Sequence, residues 1–232
     1  MYETLHTLLQ NDWYSLSFSV VLIIGYHVFL TLRLRSDPLY TIQAATAAAR
    51  TAWVESIMHN AGRDILAVQT LRNSIMAATF LASTSVLLII GTLTLTGEAD
   101  RMRETWHVFN TAGSTQAEAW LTKVLILLVS YVMAFFSFAM TIRLLHLTGY
   151  MINVPARADA GSAAHLLVAK YLNRAGAFYA FGTRMFFVSV PLVFWLFGPQ
   201  FMTAATFVLV PTMYFLDRAP RNVIIKDHKN LL

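Results

Sequence analysis

Seven polar side chains lie beside or inside long apolar stretches: His27, Arg33, Arg72, Asn73, Arg143, His146 and Arg184. Histidine is the commonest ligand for metals and a frequent axial ligand of haem. Arginine offers a planar fork of donors suited to phosphate or carboxylate and does not readily shed its charge. His27 precedes Arg33 by six residues, about 9 Å on a helix. Arg72 and Asn73 are adjacent at the start of one apolar stretch, and Arg143 and His146 close another. Arg184 has only the thirteen residues Met185 to Phe197 after it before a turn signal, so it stands about 20 Å from that end. Together these residues define one polar layer.

No aspartate or glutamate lies within the apolar stretches to pair with the arginines. Backbone carbonyls, water, lipid phosphates or a bound anion are then the available partners. Arg72, Asn73, Arg143 and Arg184 are therefore the expected contacts for an anion or lipid headgroup. Taken singly, Arg33, Arg35 and Arg143 also fit charges that snorkel at the end of a span. His27 and His146 have neither a second histidine pair nor a carboxylate nearby, so no cofactor is expected, with haem ligation as the alternative and no metal site. No nucleophile elbow, phosphate-binding glycine loop or HExxH motif is present, and no catalytic residue is assigned.

The elements that must carry this layer follow from composition. Hydrophobic residues make up 57% of the 232 and charged residues 12%, against about 25% charged in soluble domains. A membrane-spanning helix needs about 20 apolar residues. Trp13 to Leu32, Leu71 to Thr96 and Trp120 to Leu145 meet that requirement. The apolar run Phe186 to Leu216 is too long for one helix and contains Gly198-Pro199, a turn signal. Dividing it there gives a fourth span from near Asn173 to Phe197 and a short fifth from Phe201 to Leu216. The expected fold is an all-α, polytopic transmembrane bundle of about five spans. Residues 1–221 form a single helical domain and 222–232 a basic tail.

Fourteen of the seventeen lysines and arginines fall on the side of the bundle that holds the tail, leaving Arg101, Arg103 and Lys123 opposite. Cytoplasmic segments carry the positive excess, so the N-terminus is expected outside and the C-terminus inside a membrane, a bacterial inner membrane by this reading. Trp13, Tyr14, Trp106 and Trp120 would anchor the outer interface. The N-terminal MYETLHTLLQNDW lacks the basic region and cleavage site of a signal peptide, and the first span is expected to remain. The net charge of +5 is topological and points to no nucleic acid. Cysteine is absent, which removes disulfides and thiolate chemistry.

On the inner side, Ser36-Asp37-Pro38 reads as a helix start. An amphipathic helix is expected over Thr41 to Thr70, with a break near Gly62, and a second over Ala158 to Asn173, set with Arg157, His165 and Lys170. Ser74, Ala78 and Ala82 recur at intervals of four, the spacing that lets membrane helices approach closely. They are the expected packing face for self-association or for another membrane subunit.

The block AVQTLRNSIMAATFLASTSVLL, Ala67 to Leu88, with TAWV at Thr51 to Val54 and Tyr26-His27, resembles the membrane family called domain of unknown function number 599. The likeness extends to about Arg221. It implies an integral membrane protein and carries over no catalytic residue, while drawing attention to Gln69, Thr70, Arg72 and Asn73. The expected function is a self-associating, channel- or transporter-like protein with an arginine-lined inner vestibule, in contact with membrane lipids. An accessory subunit of a larger membrane complex is the alternative, and a haem-binding redox protein the third.

Overall fold

The computed structural model describes residues 2–60, 62–97, 113–114, 117–152, 154 and 163–220. Arg101, Arg103, Trp106, Arg157, Ala158 and the 222–232 tail lie outside the described residues. Among the described residues six helices follow in order: α1 (Tyr2–Ser36), α2 (Ile42–His59), α3 (Asp64–Gly97), α4 (Ala117–Ile152), α5 (Ala163–Phe197) and α6 (Pro199–Asp217). Five of them are long and apolar enough to cross a membrane, α2 being the exception. The protein has the all-helical, multi-pass architecture of an integral membrane protein.

Local chemistry sets the breaks. After α1 the Asp37 carboxylate accepts from the Leu39 amide at 3.2 Å and the Asp37 carbonyl from the Tyr40 amide at 3.1 Å. Ser36-Asp37-Pro38 thus builds a turn rather than the start of a helix, because Asp37 spends its acceptors on that turn. Helix capping passes to Thr41, whose hydroxyl accepts from the Ala44 amide at 3.2 Å. Gly62 ends the α2 connection with φ of 92°, a conformation open to glycine at little cost. The stretch expected as one broken helix from Thr41 to Thr70 is therefore divided between α2 and the first turns of α3. Gly198, at φ 147°, separates α5 from α6, and Pro199 opens α6 at the position where a missing N–H costs nothing.

Helices outrun their apolar stretches. The amphipathic segment expected as a separate helix ending at Asn173 is continuous with the fourth span in α5. Nothing between them breaks the backbone: no proline or turn signal intervenes, and alanine and leucine favour helix throughout. At the other end of the chain, α1 begins well before Trp13.

The chain forms two compact units. The first takes Met1–Thr31, Ser83–Phe135 and Gly182–Tyr214, and the second Leu32–Ala82, Phe136–Phe181 and Phe215–Leu232. In the first, Trp120, Val124, Leu127, Tyr131, Leu192 and Trp195 form the heart of an apolar cluster. Trp120 is buried in that cluster. Trp13 and Tyr14 are exposed. In the second, Val54 and Ile57 of α2 pack with Leu71, Leu144, Leu145, Val168 and Leu172. The apolar face of α2 is thus covered by α3, α4 and α5 of its own unit.

Candidate oxyanion site

In the second unit, Arg50 reaches from the alanine-rich α2 to α5. Its Nε donates to Asn173 Oδ1 at 2.9 Å, and Asn173 Nδ2 donates to Thr51 Oγ1 at 3.0 Å. One amide is therefore clasped by two consecutive residues of α2. The guanidinium lies over Gly176, one turn after Asn173. A Cβ built on Gly176 would stand 2.6 Å from Arg50 Cζ and 2.7 Å from both terminal nitrogens. Only a residue without a side chain leaves room for the plane of the guanidinium here.

Those two terminal nitrogens make no hydrogen bond to any described residue, and no carboxylate pairs with the group. Arg50 lines a cavity of about 260 Å³. Its polar lining is Arg50, Ser74, Thr141 and Tyr179, and its apolar lining includes Ala77, Leu145, Leu172 and Ala175. The Ser74 hydroxyl donates to Thr70 O at 3.0 Å, and that of Thr141 to Ser137 O at 2.9 Å. Both hydroxyls are thus committed as donors to their own helices, leaving Arg50 as the one charged residue of the lining. Burial pulls the Arg50 guanidinium's pKa below its ordinary value, although arginine retains its proton at neutral pH. The guanidinium is thus half-withdrawn from water, with two of its nitrogens bonded to no described residue.

The first unit treats its charges differently. Asp12 Oδ1 accepts from Lys123 Nζ at 2.7 Å and from Trp195 Nε1 at 3.0 Å, while Oδ2 accepts from the Ser114 amide at 2.8 Å. Lys123 also sits 5.3 Å from the centre of the Trp195 ring. Both charged groups are buried. Nearby, Ser15 donates to Pro199 O at 2.8 Å, and the Ser19 and Thr206 hydroxyls share a hydrogen bond of 3.0 Å, so α1 is pinned to α6 by hydroxyls four residues apart.

Of the residues singled out from sequence, Arg72 is exposed and donates to Gln69 one turn earlier at 2.8 Å. Asn73, Arg143 and His146 are exposed as well. Arg184 belongs to the first unit and is half-buried. His27, also in the first unit, bonds through Nδ1 to Ile23 O at 2.9 Å and meets the Tyr26 ring edge-on. Ser74 lines the Arg50 cavity, and Ala78 and Ala82 are buried. The histidines that the structure does bring together are His59 and His165, with ring centroids 5.7 Å apart. Among the described residues no group of three histidines or carboxylates is placed to hold a metal ion.

Sequence reasoning passed over Arg50, Asn173, Gly176, Asp12 and Lys123. One signal was available: an arginine amid eight alanines and threonines of α2, on a helix with no acidic neighbour within four residues.

The family model described as "Protein of unknown function, DUF599" matches residues 14–222. The chain belongs to the DUF599 family. No curated protein and no solved structure matches it. The matched region of this DUF599 member contains every residue of the Arg50 site and begins two residues after Asp12.

Proposed function

We propose that this integral membrane protein binds an oxyanion, a phosphate or carboxylate group, against the Arg50 guanidinium in its second unit. The observation that carries the reading is that Arg50 lines the cavity with its two terminal nitrogens bonded to no described residue while Asn173 fixes the third nitrogen. Two parallel N–H···O bonds from a fork held in place give both attraction and orientation. Asn173 and Thr51 set the plane of the fork, and Gly176 gives it space. Holding the side chain in advance lowers the ordering cost of binding.

The anion-binding role expected for Arg72, Asn73, Arg143 and Arg184 passes in this proposal to Arg50, because Arg72, Asn73 and Arg143 are exposed, where one partner adds little, and the half-buried Arg184 belongs to the other unit. The outer N-terminus and inner C-terminus inferred from the charge bias belong to the same proposal and place the site toward the cytoplasmic side. Hexyl phosphate, which carries both an oxyanion and a short tail, is a suitable probe. It should raise the unfolding temperature of the detergent-purified protein and fail to do so for Arg50→Leu. An equal rise in both proteins would remove Arg50 from the site, and no rise in either would remove the site.

A further inference from the structure

We infer that the oxyanion at Arg50 is the headgroup of an anionic amphiphile that enters sideways from the lipid. The inference rests on the reading of Arg50 as an oxyanion site and adds the class of ligand and its route. It follows from where the cavity opens. Ala77 on α3 and Tyr179 on α5 are the exposed members of its lining, whereas Thr141, Leu145, Leu172 and Ala175 are buried. Ala77 comes five residues after the exposed Arg72, and Tyr179 five residues after the exposed Arg174. On each helix the mouth thus lies about 7.5 Å further along the axis than an arginine suited to the headgroup layer. Both helices, Asp64–Gly97 and Ala164–Phe197, are long and apolar enough to cross a membrane, and the two arginines mark the headgroup level on them.

The surroundings of the mouth agree. Phe80, on the same face of α3 as Ala77, is 72% exposed, and Met76 is 58% exposed. Such side chains at that depth face acyl chains, not water. A free inorganic anion would have to leave water and pass apolar surface to reach Arg50, a strongly unfavourable step for an unpaired charge. An amphiphile already anchored in the bilayer needs only to move its headgroup about one helical turn inward. Its chain stays in lipid beside Ala77 and Phe80. A single guanidinium with no second cation among the described lining residues suits one compact group, a phosphomonoester or a carboxylate, better than a polyphosphate.

The test reconstitutes the full chain in phosphatidylcholine vesicles containing spin-labelled phosphatidic acid. Electron spin resonance reads the fraction of label immobilised by the protein, against spin-labelled phosphatidylcholine as reference. The wild type should prefer phosphatidic acid by about tenfold, the worth of one charge-assisted hydrogen bond. Arg50→Leu should erase that preference. Ala77→Trp, which fills the mouth from an exposed position and leaves the core untouched, should reduce it severalfold with the helical content unchanged. Inorganic phosphate at matching concentration should not displace the lipid. If inorganic phosphate competes on equal terms, the lateral route fails and the oxyanion site stands. A preference left unaltered by Ala77→Trp would likewise overturn the lateral route alone. If the wild type shows no preference and inorganic phosphate does not bind either, the site itself fails.

Discussion

Asp12 and Lys123 in the first unit neutralise one another and share Trp195 and the Ser114 amide, whereas Arg50 in the second unit meets one neutral amide through one of its three nitrogens. Both arrangements take charge out of water, and they differ in what is left over. Around Asp12, Oδ1 has two donors, Oδ2 has one and the ammonium has its counter-ion, so charge is cancelled within the cluster. Around Arg50 the amide supplies orientation without cancelling charge. A closed ion pair of this kind fixes helices in place, whereas an oriented cation without a carboxylate keeps its charge uncancelled, which is the basis of the proposed oxyanion site. The same reasoning separates a buried charge that stabilises a fold from one that equips a site.

Breaking the closed cluster should have the largest consequence. Lys123→Met leaves the Asp12 carboxylate buried without its counter-ion, a loss of about 3–5 kcal/mol, visible as a lowered midpoint of unfolding in detergent. Adding Asp12→Asn should restore part of it, since asparagine removes the charge and keeps a carbonyl oxygen for one of the two donors, Trp195 or the Ser114 amide. If the double variant is as unstable as the single one, the cluster is held by geometry more than by neutralisation.

Next in size, Ala78→Leu places a larger side chain where the present one is wholly buried. Overpacking of this kind costs about 1–3 kcal/mol, and unfolding of the single chain should report it in any state of assembly. The contrast with the open site is then sharpened by Arg50→Leu. That change removes a charge that nothing neutralises, so the unfolding midpoint without ligand should move by no more than about 1 kcal/mol of stability, the worth of the bond to Asn173. A loss as large as that of Lys123→Met would mean that Arg50 is a structural tether. Smallest of all is Gly176→Ala. The added methyl group displaces the guanidinium end of a flexible side chain, while helix propensity improves by about 1 kcal/mol. Stability should stay level or rise, and hexyl phosphate should bind severalfold more weakly in a titration followed by unfolding temperature.

Much of the fold was readable in the sequence because burial in lipid demands long apolar runs, and the Gly198-Pro199 break interrupts the one run that exceeds a span. Helix ends were less readable. Ala163 to Asn173 is polar on one face and reads as separate from its span, though no local signal stops the helix there. The site was hidden for a different reason. Arg50, Asn173 and Gly176 stand on α2 and α5, more than a hundred and twenty residues apart, and only packing of those helices brings them together. In the sequence Arg50 is one more inner charge, and Gly176 an unremarkable glycine inside a helix. Asp12 falls one residue short of the first apolar stretch, so a pair that α1 and α4 enclose looks like two charges at an edge.

Chemical protection of individual arginines tests the central claim most directly. Phenylglyoxal reacts with the guanidinium, and peptide mass spectrometry follows Arg50 and Arg72 separately in the same sample. Arg50 is half-buried, and the exposed Arg72 serves as an internal reference. With hexyl phosphate present, the account predicts that modification of Arg50 slows at least severalfold and that of Arg72 stays constant. Arg50 modified at the same rate with and without hexyl phosphate, or Arg72 protected in its place, would contradict it.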